Sequence, residues 1–276
     1  MIQKYPIKEL TNAAKEMAKG NFSVRLKSKK KDEVGELITS FNHMATELEQ
    51  IDNMREDFVS NVSHEIQSPL TSIRGFTKAI RDDVIPKKDQ HEYLDIIYQE
   101  TERLSRLSEN LLRLASLDSE QHPYHPVTYR LDEQLRRTVV ATEPQWKKKS
   151  LQIHLDLESI EVFADQDLLD QVWLNLMTNA IKYSSLNGEI EIYLSRDADE
   201  VKVTIKDTGK GIPKDAIPHL FERFYKVDKA RSRTVQGNGL GLSIVKKILT
   251  IHGCLIDVVS EEGVGSTFMI NISVKK

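Results

Sequence analysis

Ser63-His64-Glu65-Ile66-Gln67-Ser68-Pro69-Leu70 sits inside a long run of helical period. Val59, Val62, Ile66, Ile73, Ile80 and Val84 fall on one face at steps of three, four and seven, so His64, between Val62 and Ile66, should project outward. Pro69 has no amide to give the carbonyl of Glu65, and a bend is expected there at a cost of about 3 kcal/mol. Ile85-Pro86 then breaks the pattern, and a second stripe follows: Leu94, Ile97, Thr101, Leu104, Leu107, Leu111 and Leu114. Two narrow stripes on one hairpin leave a flank uncovered. A homodimeric four-helix bundle, each hairpin covering the other, is the expected arrangement.

Working upstream, Pro6 to about Ile51 reads as helix, connector, helix. Ile7, Leu10, Ala14 and Met17 recur at helical spacing, Gly20-Asn21 stops the helix, and Phe22, Val24 and Leu26 alternate through an extended segment. Val34, Leu37, Phe41, Met44, Leu48 and Ile51 then step by three and four, the narrow seam of a coiled coil that needs a partner helix. Past Ile51 the alternation slips, with Met54, Phe58 and Val62 giving two consecutive steps of four. Such a slip alters the local supercoil and is a place where rotation of one bundle would act on the next.

Downstream, a linker at 119–126 carries His122, Pro123, His125 and Pro126. Beyond it the period changes to two: Leu151, Ile153, Leu155 and Leu157, then Ile190, Ile192 and Leu194, then Val201, Val203 and Ile205. Helical segments lie between these strands, and later strands are expected around 255–259 and 267–272. The expected fold is multidomain: an all-α coiled-coil and four-helix-bundle region at 1–51 and 52–118, then an α+β sandwich at 127–276 with helices on one face of a mixed sheet.

Composition narrows the function classes. The 39 basic and 42 acidic residues are well mixed and the net charge is −3, so no global field favours nucleic acid or an acidic membrane surface. A single cysteine, Cys254, excludes an intramolecular disulfide and a cysteine-rich metal site. No stretch reaches the roughly 18 uninterrupted apolar residues of a membrane helix, and no signal-peptide pattern follows Met1.

Among the eight histidines only His64 has chemically useful company. An exposed helical histidine is ordinarily a surface residue, but Glu65 beside it can hold the imidazole Nδ1–H and leave Nε2 as the nucleophile. Further along, NLMTNAIKYS puts Asn175, Asn179 and Lys182 on one helical face, opposite Leu169, Trp173, Leu176 and Ala180. A strand ends in DTGKGIP, where Asp207 can accept a hydrogen bond from an adenine amine and Gly209 and Gly211 let backbone pass close to a purine. GNGLGLSIVKKI places Gly237, Gly239, Leu240 and Gly241 at a helix start, suited to phosphate at exposed amides. Between them, LFERFYKVDKARSRTVQ reads as a mobile lid anchored by Phe221 and Phe224, with Arg223, Lys226, Arg231 and Arg233 as candidate phosphate contacts.

The order of these motifs resembles the class I sensor histidine kinases of bacterial two-component systems. SHEIQSPL is similar to the phosphoacceptor box, with Gln67 where a basic residue is most frequent and Ser68 where threonine or asparagine is. Pro6, MAKGNF and DEVGELITSFNHM are similar to a HAMP domain, and 127–276 to a Bergerat-type ATP-binding catalytic domain. The resemblance implies ATP and Mg2+ as cofactors. It implies that His64 is phosphorylated with Glu65 as general base, that Asn179 binds the magnesium ion, that Asn175 and Lys182 face the phosphates, and that Tyr183 packs near the nucleotide. It also implies that Thr267 approaches adenine and that Ser68 is the residue for a phosphatase activity on the response regulator.

The implied partners are a second copy of the chain and a separate response regulator, with no nucleic acid. A transmembrane helix upstream of Met1 would make this the cytoplasmic portion of a cell-membrane receptor. Two rivals remain: a hydrolytic ATPase of the gyrase or Hsp90 type, which carries a glutamate where this chain has Asn175, and a dimeric scaffold that binds ATP without transfer.

Overall fold

The computed structural model describes residues 5–27, 32–119, 122–197, 200–227 and 237–273. The chain divides into two compact units, Met1–Ser68 and Pro69–Lys276.

In the first unit, α1 (Tyr5–Met17) ends at Gly20, whose φ of +92° suits a residue without a side chain. The connector returns alongside α2 (Glu33–Arg81), and Phe22, Val24 and Leu26 pack on a core of Ala13, Met17, Phe41 and Ala45. Asn42 fastens it as a strand would: its Oδ1 accepts from the Leu26 amide at 2.8 Å and its Nδ2 donates to the Leu26 carbonyl at 2.7 Å. The coiled-coil seam splits here. Phe41 is buried and Val34 and Leu48 half-buried, whereas Leu37, Met44 and Ile51, one heptad apart, are exposed. One short helix covers only one flank of the seam.

In the second unit, α2 continues to Arg81 with Pro69 accommodated inside it, and a turn through Asp83 leads to α3 (Gln90–Asp118). Leu107, Leu114 and Leu117 are buried, and the end of α3 packs on α7 (Gly241–Ile251). The expected inward stripes are only partly covered: Val84, Leu94 and Thr101 are exposed, as is Val59 in the first unit. A two-helix contact shields a narrower strip than a bundle does.

The rest builds a two-layer α+β fold. After β1 (Val127–Arg130) come α4 (Leu131–Ala141), α5 (Glu143–Lys148), β2 (Gln152–Leu157), β3 (Glu161–Ala164) and α6 (Gln166–Tyr183). They are followed by β4 (Glu189–Asp197), β5 (Glu200–Asp207), α7, β6 (Leu255–Glu261) and β7 (Gly265–Ser273). The five-stranded sheet runs β2-β4-β5-β7-β6, with β2 parallel to β4 and the other pairs antiparallel. Ile190, Ile192, Leu194, Val201, Val203 and Ile205 point to the helices and are buried, as strict alternation requires. A two-stranded ribbon of β1 and β3 was not anticipated from the sequence pattern.

The linker is fastened at its far end. Asp165 caps α6 through Leu168 and also accepts from the His125 amide at 2.8 Å, while Tyr124 meets His252 edge-on at 5.2 Å. His252 in turn accepts from the Asp165 amide at 3.2 Å.

Gln134, fully buried, ties α4 to α6. Its Oε1 accepts from the Tyr129 hydroxyl at 2.8 Å and the Trp173 indole at 3.0 Å, and its Nε2 donates to the Gln166 carbonyl at 2.8 Å. Gln134→Leu leaves the buried Trp173 indole unpaired and removes a partner from the half-buried Tyr129 hydroxyl, and should lower stability by about 2 kcal/mol. Both tryptophans, Trp146 and Trp173, lie in this domain, so fluorescence-detected denaturation follows its unfolding.

Candidate functional site

The α6 helix forms because Asp165 caps its start and Leu168, Leu169, Val172, Trp173, Leu176, Met177, Ala180 and Ile181 make a continuous buried face. The opposite face keeps Asn175, Asn179 and Lys182 half-buried, on the side the spacing predicts. The glycine segment comes down against this face. A Cβ on Gly241 would lie 2.8 Å from Asn175 Oδ1, and one on Gly237 would lie 2.5 Å from Lys182 Nζ, so the glycine backbone lies directly against the tips of these two side chains. Gly239, with φ +73°, accepts from the Phe224 amide at 2.9 Å, and Phe224 itself is left-handed at φ +64°. Phe224 is therefore tethered to the glycine segment that leads into α7. Leu240 is fully buried and anchors the start of α7.

Asp207 ends β5 in a buried position and accepts from the Gly209 amide at 2.8 Å. Burial pushes its carboxyl up to about 6, opposed in part by the amides of Gly209 and Ser266. The DTGKG loop is held on two sides. Lys210 donates its amide to Tyr183 at 3.2 Å, Gly209 bridges Ser184, and Gly263 donates to the Lys210 carbonyl at 2.7 Å. At Gly211, φ +67°, a Cβ would collide with the Glu261 carbonyl.

Cations collect at one place. Lys182 and Lys210 place their ammonium groups 4.8 and 5.1 Å from the centroid of the Tyr183 ring. Burial, then Lys226 and Lys210, pull Lys182 down to about 8. Like charges held together beside glycine backbone make a site that an anion would stabilise. Lys210 was missed in the sequence reading although it stands inside the quoted loop; its neighbours were read for their glycines.

Arg223 pairs with Asp118 at the end of α3 at 2.6 Å, where Lys247 also pairs at 3.2 Å. Arg231 and Arg233 lie outside the described residues. Thr267 is in register with the exposed Lys206, on the alternate face of the strand from Asp207. Ser266 is the residue opposite Asp207, buried and with its hydroxyl 2.9 Å from that of Ser260. His64 and Ser68 are exposed on α2 and Glu65 is half-buried beside them, in the first unit. Among the described residues no three histidine, cysteine, aspartate or glutamate side chains cluster as metal ligands, and no helix is long and apolar enough to cross a membrane.

Three family models match the chain in succession: a HAMP domain at residues 3–50, a His Kinase A phosphoacceptor domain at 54–120, and the histidine kinase-, DNA gyrase B- and HSP90-like ATPase at 164–276. The last of these is an ATP-using fold. The heme sensor protein HssS of Staphylococcus saprophyticus is 36% identical over 267 residues, 96% of this chain and 56% of that protein. Its Staphylococcus aureus counterpart is 37% identical, over 97% of this chain and 57% of that protein. The chain thus spans little more than half the length of these relatives.

Among solved structures, the Acinetobacter baumannii histidine kinase AdeS superposes with a TM-score of 0.65 at 26% identity, covering 77% of this chain and 98% of that one. Histidine kinase ThkA, solved in complex with response regulator protein TrrA, gives 0.66 at 26% identity over 83% of this chain and 66% of that one.

Gly211→Ala combines a left-handed backbone with a backbone collision and should destabilise the domain by about 1–3 kcal/mol. A drop in the fluorescence-detected denaturation midpoint checks it.

Proposed function

The chain belongs to the sensor histidine kinases of two-component systems, and on that premise we propose that it transfers the γ-phosphoryl group of ATP to His64 and then to an aspartate of a separate response regulator. The convergence of Asn175, Lys182, Lys210 and the glycine backbone of 237–241 beside buried Asp207 carries this reading. Asp207 accepts the adenine amine, with Ser266 holding the carboxylate from behind. Tyr183, flanked by two ammonium groups, borders the nucleotide, and Lys182, Lys210 and Lys226 meet the phosphates.

Mg2+ needs few protein ligands when phosphate oxygens and water supply the rest, and the half-buried amide oxygen of Asn179, on the same helical face as Lys182, fits that demand. Bound there, the ion would neutralise charge on the bridging phosphate oxygens. His64 Nε2 attacks the γ-phosphorus in line, the bond to ADP breaks, and Glu65 holds the imidazole Nδ1 proton. Catalysis is chiefly placement and charge neutralisation.

We assign 1–51 to the HAMP-like module, 52–118 to the phosphoacceptor hairpin, 119–126 to the linker and 127–276 to catalysis. Because Tyr124 and His125 are fastened to the catalytic domain, the swing that brings ATP to His64 pivots before Tyr124. The exposed Leu37, Met44, Ile51, Val59, Val84 and Leu94 are the faces a second copy would cover. Ser68 can orient a water for the reverse, phosphatase reaction. An upstream membrane helix would make the chain the cytoplasmic portion of a membrane receptor. Hydrolysis is disfavoured because Asn175, whose Nδ2 donates to the Gln171 carbonyl at 2.8 Å, is an amide and takes no proton from water.

Incubation with γ-labelled ATP and magnesium should give acid-labile, base-stable label on the wild type and none on His64→Gln. No label on the wild type, or label surviving the substitution, contradicts the transfer. Since the Asp207 carboxyl sits at about 6, ATP affinity should hold at neutral pH and fall as pH drops through that value. The same burial makes the ionised carboxylate a cost to folding, fully felt above the raised value. Asp207→Asn should accordingly abolish ATP binding in calorimetry while raising the melting temperature at pH 7.5.

A further inference from the structure

The end of α6 is held by a residue from outside every nucleotide motif. Lys149, just past α5, places its ammonium 2.8 Å from the Ile181 carbonyl, 2.8 Å from the Lys182 carbonyl and 2.9 Å from the Ser184 carbonyl. The last carbonyls of a helix have no partner within it, and a cation at that end also meets the negative pole of the helix dipole. An ammonium has three donors, and here each meets a carbonyl. The one carbonyl of 181–184 that Lys149 leaves, that of Tyr183, accepts from the Lys210 amide of the DTGKG loop at 3.2 Å. Ser184 also bridges Gly209. Lys149 is itself tied down, its carbonyl accepting from the Asn187 amide at 3.0 Å in the turn that enters β4.

This arrangement does two things at once. It fixes the direction in which the chain leaves α6, and so the backbone that carries Lys182 and Tyr183. It also places the Tyr183 carbonyl where the Lys210 amide reaches it, and so ties the loop carrying Asp207, Gly209 and Lys210 to the same helix end. We infer that Lys149 is the positioning residue of the nucleotide site, acting through Lys182, Tyr183 and the 208–211 loop without touching substrate. The inference rests on the reading of this site as the one that binds ATP.

The test uses the 276-residue chain as wild type, Lys149→Met and Lys149→Arg, with amide hydrogen exchange in the absence of nucleotide and calorimetric titration with ATP and magnesium. Lys149→Met keeps the length and removes the donors. Exchange should quicken in 181–184 and 208–211 while β4, β5 and β7 keep their protection, and ATP should bind about tenfold more weakly, the size of losing charged hydrogen bonds. Lys149→Arg, able to span two of the carbonyls, should recover most of both. Unchanged exchange at 208–211, a uniform rise across the sheet, or wild-type affinity in Lys149→Met each overturns the inference. A wild type that binds no ATP defeats the kinase reading, and the exchange arm still decides the role of Lys149 in holding the loop.

Discussion

Four backbone carbonyls at the end of one helix, Ile181 to Ser184, are the constraint on which the catalytic half of the molecule turns. A helix end buried beside a loop must find donors for them. Lys149 supplies three and the loop after β5 supplies one at Tyr183, with Gly209 bridged to Ser184. The same few atoms thereby place a helix face of amides and ammonium groups against a loop of glycines and a buried carboxylate. Gly237 and Gly241 close the third side, their backbone lying against the tips of Lys182 and Asn175. Positive charge then accumulates, with Lys226 and Lys210 crowding Lys182, a disposition suited to a bound polyphosphate.

Much of this was legible in the sequence. The period of two named β2, β4 and β5, the apolar face of Leu169, Trp173, Leu176 and Ala180 marked α6, and the position of Asn175, Asn179 and Lys182 followed from a helix of 3.6 residues per turn. Legibility failed where one residue acts across the fold. Lys149 sits among three consecutive lysines and has no local pattern that separates a helix cap from a solvated charge. Asp165 caps α6 with one oxygen, while its second accepts from the His125 amide 40 residues earlier. Ser266 and Thr267 are adjacent hydroxyl residues, and only strand register tells which shares a face with Asp207. Arg223 read as a phosphate contact because it stands in a basic loop, whereas Asp118 takes it.

The helical half shows the complementary lesson. Its expected apolar stripes are only partly covered, because a single hairpin and a single short helix cannot bury them. Leu37, Met44 and Ile51 form one line of the seam, left exposed while Phe41 packs inward. Exposed apolar lines of this regularity are what a dimeric bundle covers, and they place His64 on a helix whose partner surface is still to be supplied. Asp118, at the end of α3, pairs with Arg223 and with Lys247 of α7, so α3 and the α+β fold share an ion-paired contact.

The central claim is that the junction of α6, the 207–211 loop and the 237–241 segment is where ATP binds. Backbone amide chemical shifts recorded on titration with ATP and magnesium test it directly. Large shifts are expected at Gly209, Lys210, Gly211, Lys182 and Gly237 to Gly241, and none along β1 and β3. Shifts concentrated away from this junction, or none at saturating nucleotide, would contradict it.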